Sequence, residues 1–395
     1  MELRPGYKQT EAGVIPEDWG QDSIRNLASI TTGAKNTQDK VEDGEYPFFV
    51  RSSFVERIDS YSFDGEAVLT AGDGVGTGKI FHYINGKLDF HQRVYKISNF
   101  GRDLDGYFFY LYFSTHFYDR IMSMTAKSSV DSVRLEMIAD MKILLPPLPE
   151  QRAIAAALSD VDALISALDK LIAKKRGIKQ AAMQQLLTGK KRLPGFSGEW
   201  EVKKLGGIGS FKKGRNIPKN QLSTQGEPCV LYGEIYTRYD WVVKELVSFI
   251  PKDVAEQSTV IKPGDILFAG SGETAEEIGK CFAYIGAEDA YAGGDLIILS
   301  PKEDDSVFLG YQLNSPMICR QKANLGQGSS VVHIYVSGLA TVKVPLPPLP
   351  EQQAIATILS DMDAEIAALE QKRDKTRALK QGMMQELLTG RIRLA

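Results

Sequence analysis

Residues Leu145–Leu193 read LPPLPEQRAIAAALSDVDALISALDKLIAKKRGIKQAAMQQLLTGKKRL, and Leu346–Leu394 read LPPLPEQQAIATILSDMDAEIAALEQKRDKTRALKQGMMQELLTGRIRL. About 30 of 49 positions are identical without a gap, which makes this an internal duplication. Each copy opens on a proline-rich stop, and a proline suits the first helical position because its missing N–H is not needed there. Glu150 and Glu351 follow in the first turn, where the positive end of the helix dipole favours an acid. Helical order is expected to run to Thr188 and Thr389. Gly189 and Gly390 are then C′ residues, and Lys190, Lys191, Arg192, Arg391 and Arg393 suit the negative end.

Inside the copies, Ile154, Leu158, Val161, Ile165, Leu168 and Ile172 step by four and three, as do Ile355, Leu359, Met362, Ile366 and Leu369. This is the a/d spacing of a coiled-coil seam. In the second copy Arg373 and Thr376 interrupt it before Leu379, Met383 and Leu387 resume. A helix of about 38 residues is roughly 57 Å long. Such a stripe needs a partner. Antiparallel pairing of the two copies within the chain is the expected arrangement, although an intermolecular pair fits the seam equally well.

The chain has 395 residues, 43% hydrophobic and 25% charged, enough for two ordinary domains of a globular protein. The start, MELRPGYKQTE, lacks the apolar core of a signal peptide, and no apolar run approaches the roughly 20 residues that span a bilayer. Three scattered cysteines, Cys229, Cys281 and Cys319, argue against a disulfide framework or zinc knuckle. A cytoplasmic location is expected. The net charge of −3 is not that of an obvious nucleic-acid binder. The distribution is less neutral: between Lys170 and Gly226 stand 14 Lys and Arg against Glu199 and Glu201. That block reads as a phosphate-binding surface or as a solvated helix face with its loop.

Between the copies lie segments that match only faintly. Their openings align, Trp19, Ile24, Leu27, Ile30 and Gly33 against Trp200, Leu205, Ile208, Phe211 and Gly214. Their endings align at Ser128-Ser129-Val130 and Ser329-Ser330-Val331. Short β-branched and aromatic runs broken by glycine predict strand-rich mixed domains, with helical patches near 104–124 and 307–325. The division expected is a first variable domain over 1–144, a repeat helix in 145–193, a second variable domain over 194–345 and a second repeat helix in 346–395. The fold class is α+β: two mixed domains separated by two long antiparallel helices, related by a pseudo-two-fold repeat.

Several catalytic patterns fail on inspection. Gly72–Lys79 (GDGVGTGK) misses a phosphate loop at Asp73 and Ile80, and Gly272–Lys280 misses it at Thr274 and Cys281. Leu145-Pro-Pro-Leu148 lacks the polar first residue and the aromatic of the Asn/Asp-Pro-Pro-aromatic motif of DNA amino-methyltransferases. His82, His91, His116 and His333 show no metal-ligand spacing, and Ala269 occupies the first glycine of a GxSxG elbow around Ser271. What remains is polar, basic and aromatic residues at expected turns. The first segment offers Lys35, Asn36, Thr37, Arg51, Ser52, Lys79, His91, Gln92 and Arg93. The second offers Lys212, Lys213, Arg215, Asn216, Tyr232, Glu234, Tyr236, Lys280 and Tyr291. Arg reads guanine and Asn or Gln reads adenine in the major groove, while lysines and hydroxyls more often hold phosphates. Singly, each is also ordinary surface.

The duplicated Leu-Pro-Pro-Leu-Pro-Glu-Gln with its Ala-Ile-Ala, the long helix ending Leu-Leu-Thr-Gly, and the openings at Trp19 and Trp200 make the chain similar, over nearly its whole length, to specificity subunits of type I restriction–modification systems. The resemblance implies two target-recognition domains, each reading half of a split, asymmetric site in double-stranded DNA. It implies that the paired helices set the spacer and dock two methyltransferase subunits, with motor-nuclease subunits joining them. Helix residues in that role would be Glu150, Gln151, Ile154, Leu158, Ile165, Leu168, Glu351, Gln352, Ile355, Leu359, Ile366 and Leu369. The chain itself would be non-catalytic and bind no metal. S-adenosylmethionine, ATP and Mg²⁺ would sit on the partners. The rival reading is a coiled-coil adaptor that binds proteins at both ends without recognising DNA.

Overall fold

The computed structural model describes residues 5–10, 13–124, 132–215, 217–328 and 330–394. The chain folds as two compact units, one made of Met1–Asp169 with Gln371–Ala395, the other of Lys170–Glu370. Two 39-residue helices, Leu148–Leu186 and Leu349–Leu387, dominate the architecture. Each contributes its first part to one unit and its last part to the other.

In the first unit a six-stranded sheet runs in the order Ser29–Thr32, Val94–Ser98, Phe63–Ala71, Phe81–Phe90, Tyr46–Phe49, Val55–Ile58. All pairings are antiparallel except Phe48 and Phe49 against Asp89 and Phe90. Helix Gly106–Ser123 is capped by Asp105, whose carboxylate accepts from the amides of Tyr107 and Phe108. It buries Phe108, Phe109, Phe113 and Phe117 in a core shared with Trp19, Ile24, Val68, Ile97, Ile154, Leu158 and Leu387. A short ribbon pairs Gly20–Ser23 with Lys142–Leu145 and leads into the long helix.

The second unit repeats the ribbon as Glu201–Lys204 against Lys343–Leu346. Beside a small pair, Ser271–Gly272 with Val332–His333, its other strands divide between two sheets. One orders Gly209–Lys213, Leu296–Pro301, Ile266–Ala269, Cys281–Tyr284 and Val242–Val243, the other Ser248–Ile250, Glu227–Val230, Ala290–Ala292 and Thr259–Ile261. The helical patch expected over 307–325 is broken into Ser306–Gln312 and Pro316–Ala323. Pro316 has no N–H to give and turns Ser315 into extended backbone, so the helix restarts there.

Within each unit the two helix segments run antiparallel. In the first, Asp162 pairs with Lys380 at 2.7 Å, Asp169 with Arg377 at 3.0 Å, and Glu150 with Arg393 at 2.7 Å. In the second, Asp363 meets Lys179, Glu370 meets Arg176, and Glu351 takes Arg192 at 2.5 Å. Each pair of the second set matches one of the first at an offset of one repeat, which is the pseudo-two-fold written in ion pairs. Pairing within the chain is thus the arrangement found.

The seam differs from expectation at one place. Leu379 is 59% exposed, whereas Thr376 is buried and Arg373 and Lys380 are half-buried. Leu369, Arg373, Thr376, Lys380, Met383 and Leu387 keep the four-three step unbroken, so the polar residues are the seam. Their partners explain it: Arg373 and Lys380 reach Asp169 and Asp162. The helices end two residues before Thr188 and Thr389, and Gly189 and Gly390 take φ of 67° and 72°, the left-handed C′ conformation that glycine adopts without steric cost. Among the described residues no helix is long and apolar enough to cross a membrane.

Candidate nucleic-acid interface

The first unit brings most of its sequence-selected residues into one connected surface. Lys35 bridges to His91, and Gln92 donates its amide N–H to the Lys35 carbonyl at 2.8 Å. This close approach requires Gly33, where a Cβ would lie 1.9 Å from the Phe90 carbonyl oxygen. Gln92 Nε2 donates to Asn36 Oδ1 at 2.6 Å, and the Asn36 amide donates to Asp39, which opens the short 3₁₀ turn Thr37–Asp39. Arg51 binds Asp73 at 2.8 Å, with Arg93 3.8 Å from the same carboxylate. Gln92, Arg93, Arg51 and Thr37 are exposed, whereas Lys35, Asn36 and Ser52 are half-buried. Ser52 lies beside them, its carbonyl 3.3 Å from His82 Nε2. Lys79 stands apart over the Tyr118 ring at 5.0 Å.

His91 has a different role from its neighbours. It is buried, its Nδ1 accepts from the Arg93 amide at 2.9 Å, and burial, with Arg51 adding to it, holds its pKa below the usual value. A neutral ring shapes the turn that presents Gln92 and Arg93. Asp73, absent from the residues selected on sequence, organises both arginines. Nothing in the sequence distinguishes it from the aspartates that shape turns in glycine-rich loops.

The second unit divides its residues between two places. Gly214 again packs backbone on backbone, a Cβ there lying 1.9 Å from the Gly293 carbonyl oxygen. Lys213 and Arg215 are exposed, and the Arg215 amide donates to Ala292, next to Tyr291. Lys212 turns back onto its own fold, donating to the Val260 carbonyl at 2.8 Å beside Asp265. The other group is Tyr236 and Lys280: Tyr236 donates to the Ser271 carbonyl at 3.1 Å, and Lys280 reaches the Tyr236 carbonyl at 3.5 Å. Burial raises the Tyr236 pKa, so its hydroxyl stays protonated as a donor. Glu234 caps its own helix, accepting from the Leu231 amide at 2.8 Å and from Ser248, while Tyr232 is exposed at that helix start. Asn216 lies outside the described residues, as do Ser128, Ser129, Val130 and Ser329 of the aligned endings.

The two glycine loops that failed as phosphate loops occupy equivalent places. Gly72 donates to the Arg93 carbonyl at 2.8 Å and Gly270 to that of Asp295 at 2.7 Å, and Gly78 and Gly279 share φ of 69°. Where the first unit presents Gln92 and Arg93, the second therefore presents Gly294 and Asp295. The variable segments share a frame and differ in the side chains placed on it. Sequence comparison missed Gly294 and Asp295 because the intervening strands differ in length.

The repeated Glu-Gln pairs are turned inward. Glu150 accepts from Trp19 Nε1 at 3.0 Å and from Arg393, which also binds Asp18 at 2.7 Å and lies over the Trp19 ring. Hydrogen bonding by Arg393 holds the Asp18 carboxyl below the usual carboxylate range. Gln151 accepts from the Asp105 amide and donates to the Asp103 and Pro146 carbonyls. Gln352 likewise accepts from the Asp305 amide and donates to the Pro347 carbonyl, but its other acceptor is the Asp304 carboxylate; Glu351 holds Arg192 over Trp200. Ile154, Leu158, Leu168, Ile355, Leu359 and Ile366 are likewise buried, with Ile165 and Leu369 less so. Ile154 and Leu158 join one helix to the core of the first unit, and Ile355 and Leu359 join the other to that of the second. Among the described residues no three His, Cys, Asp or Glu side chains converge as a metal site.

A duplicated frame carrying two different loop surfaces, tied to a pair of antiparallel helices, defines a two-headed protein. The family described as the type I restriction modification DNA specificity domain matches residues 16–176 and again 197–376, and the chain belongs to it. It is 26% identical to the type I restriction enzyme MjaVIII specificity subunit of Methanocaldococcus jannaschii, covering 98% of this chain and 96% of that one. It is 23% identical to the EcoDI specificity subunit of Escherichia coli, covering 97% and 89%. Its fold matches the crystal structure of a type I restriction–modification S subunit from M. genitalium, with TM-score 0.64, 16% identity and 98% coverage of both chains.

Proposed function

We propose that each unit reads one half of a split, asymmetric DNA site, that the paired helices set the spacer between the halves, and that they dock methyltransferase subunits which carry the chemistry. The carrying observation is the shared frame with unlike surfaces. One presents Gln92 and Arg93 where the other presents Gly294 and Asp295, a difference suited to reading different bases. A homodimeric reader would favour a palindrome. Helices of 39 residues are roughly 58 Å long, more than one turn of duplex at about 34 Å. Docking is supported by the exposed Leu171 and Ile178, which lie seven residues apart on one helix of the second unit and so share a face. S-adenosylmethionine, ATP and Mg²⁺ belong to the partner subunits in this scheme, because methylating a base requires an enzyme pocket that takes it out of the stack.

The test is co-expression with the neighbouring methyltransferase, followed by single-molecule mapping of methylated adenines. A bipartite asymmetric motif that requires this chain is expected. Deleting one heptad from each long helix should change the spacer and leave both half-sites intact. A palindromic or continuous motif, or a spacer indifferent to helix length, would overturn the scheme.

A further inference from the structure

The loop joining strands Phe63–Ala71 and Phe81–Phe90 carries Val75, whose exposure is 104% of a free reference residue, so its side chain touches nothing. The backbone around it is pinned. Gly72 donates to the Arg93 carbonyl at 2.8 Å and accepts from the Val133 amide at 2.7 Å. Thr77 donates from its amide and hydroxyl to the Gly74 carbonyl, Lys79 and Ile80 donate to Gly76, and Asp73 is locked to Arg51. A β-branched side chain on such a loop has little rotamer freedom left to lose. A second apolar residue stands nearby. Phe54 is 80% exposed, on a turn closed by the Ser52 hydroxyl donating to its carbonyl at 3.0 Å. The two turns touch: a Cβ on Gly76 would lie 3.3 Å from the Arg51 carbonyl oxygen.

A single exposed apolar residue is ordinary. Two on adjoining, pinned turns beside the exposed Arg51 and Arg93 form a different kind of surface. It is too small for a protein interface, which buries about 800 Å² per partner. It suits a base stack, where one or two apolar side chains part neighbouring base pairs while cations hold the flanking phosphates. We infer that Val75 and Phe54 form a wedge that enters the DNA stack at the half-site read by the first unit and unstacks one base step. This inference rests on the DNA-reading function proposed above. The equivalent loop of the second unit carries Glu273, Glu276 and Glu277 instead, so the wedge belongs to one half-site only. A step already opened would lower the cost of extruding a nearby base for methylation.

The test uses the full chain in complex with its co-expressed methyltransferase and duplexes in which 2-aminopurine is scanned through both halves of the mapped site. Target adenines, which the methyltransferase itself extrudes, are left out of the scan; at the remaining positions the wild type should raise fluorescence several-fold at one step, in one half-site. The double variant V75S/F54S should abolish that rise while binding DNA within tenfold of wild type and with the same salt dependence, since Arg51 and Arg93 are untouched. V75L/F54L, still apolar, should restore the rise. All three should melt alike, because neither side chain is packed. Binding without a rise, or a rise that persists in the serine variant, overturns the wedge and leaves DNA reading intact. Failure of the wild-type complex to bind any duplex overturns both.

Discussion

Replacing Glu150 by alanine tests whether the end of the second repeat helix is what closes the first unit. The Glu150 side chain is 6% exposed, and its carboxylate accepts from Trp19 Nε1 at 3.0 Å, Arg393 Nε at 2.7 Å, Arg393 Nη2 at 2.8 Å and the Leu394 amide at 3.3 Å. Removing one member of a buried ion pair costs about 3–5 kcal/mol, because the other is left without its counter-charge. Arg393 keeps Asp18 and is 35% exposed, which places the loss at the lower end, about 3 kcal/mol. For a domain of 150–250 residues about 2–4 °C of Tm goes with each kcal/mol, so a fall of about 6–12 °C follows for the transition of the first unit. E150Q keeps an acceptor for Trp19 and loses only the charge, so its fall should be about half as large. Calorimetry of the full chain would show it, with E351A as the matched change in the second unit. A shift in E150A below about 2 °C would refute the reasoning, since the pair would then be no more than a surface ion pair.

Three further outcomes are expected. R51A and R93A should each weaken DNA binding of the assembled complex, and taking one cation off a phosphate should reduce the slope of log affinity against log salt by about one, measured by fluorescence anisotropy. Burial lowers the pKa of His82, His91 and His116, all in the first unit, so the folded form favours neutral rings while the unfolded chain takes up protons below about pH 6.5. Stability is therefore full above that pH and lost as pH falls towards the folded values, and H116Q should flatten the pH dependence of Tm between about pH 7 and 5. Burial pushes the thiols of Cys229 and Cys281 up to about 12 and 11, so native alkylation at about pH 8 should modify Cys319 first, with the other two reacting only in denaturant.

The repeat makes the helices legible, since a four-three step over 39 residues has one structural meaning and its C′ glycines mark where it stops. The polar centre of the seam is not legible in the same way. Arg373 and Thr376 look like an interruption because the acid that complements Arg373 lies on the other copy, about 200 residues away. The interface is legible as a set of residue types and less so as an arrangement. Lys35, Asn36, Gln92 and Arg93 meet because Gly33 admits a close backbone crossing. His91 and Glu234 share their chemistry with readers of bases, yet one is buried in a turn and the other caps a helix. Side-chain type carries what a group can do, and its local backbone decides whether it faces outward.

The division of the helices between units has a consequence for synthesis. The second unit is one uninterrupted stretch, Lys170–Glu370, and can close as soon as Glu370 emerges. The first is made of the stretches on either side of it, and the bond from Arg393 to Glu150 spans 243 residues. The domain translated first is therefore completed last. Until Leu388 leaves the ribosome its core lacks Leu387 and Leu388. Termination between Gln371 and Leu387 would release a chain whose second unit is closed and whose first unit lacks part of its core.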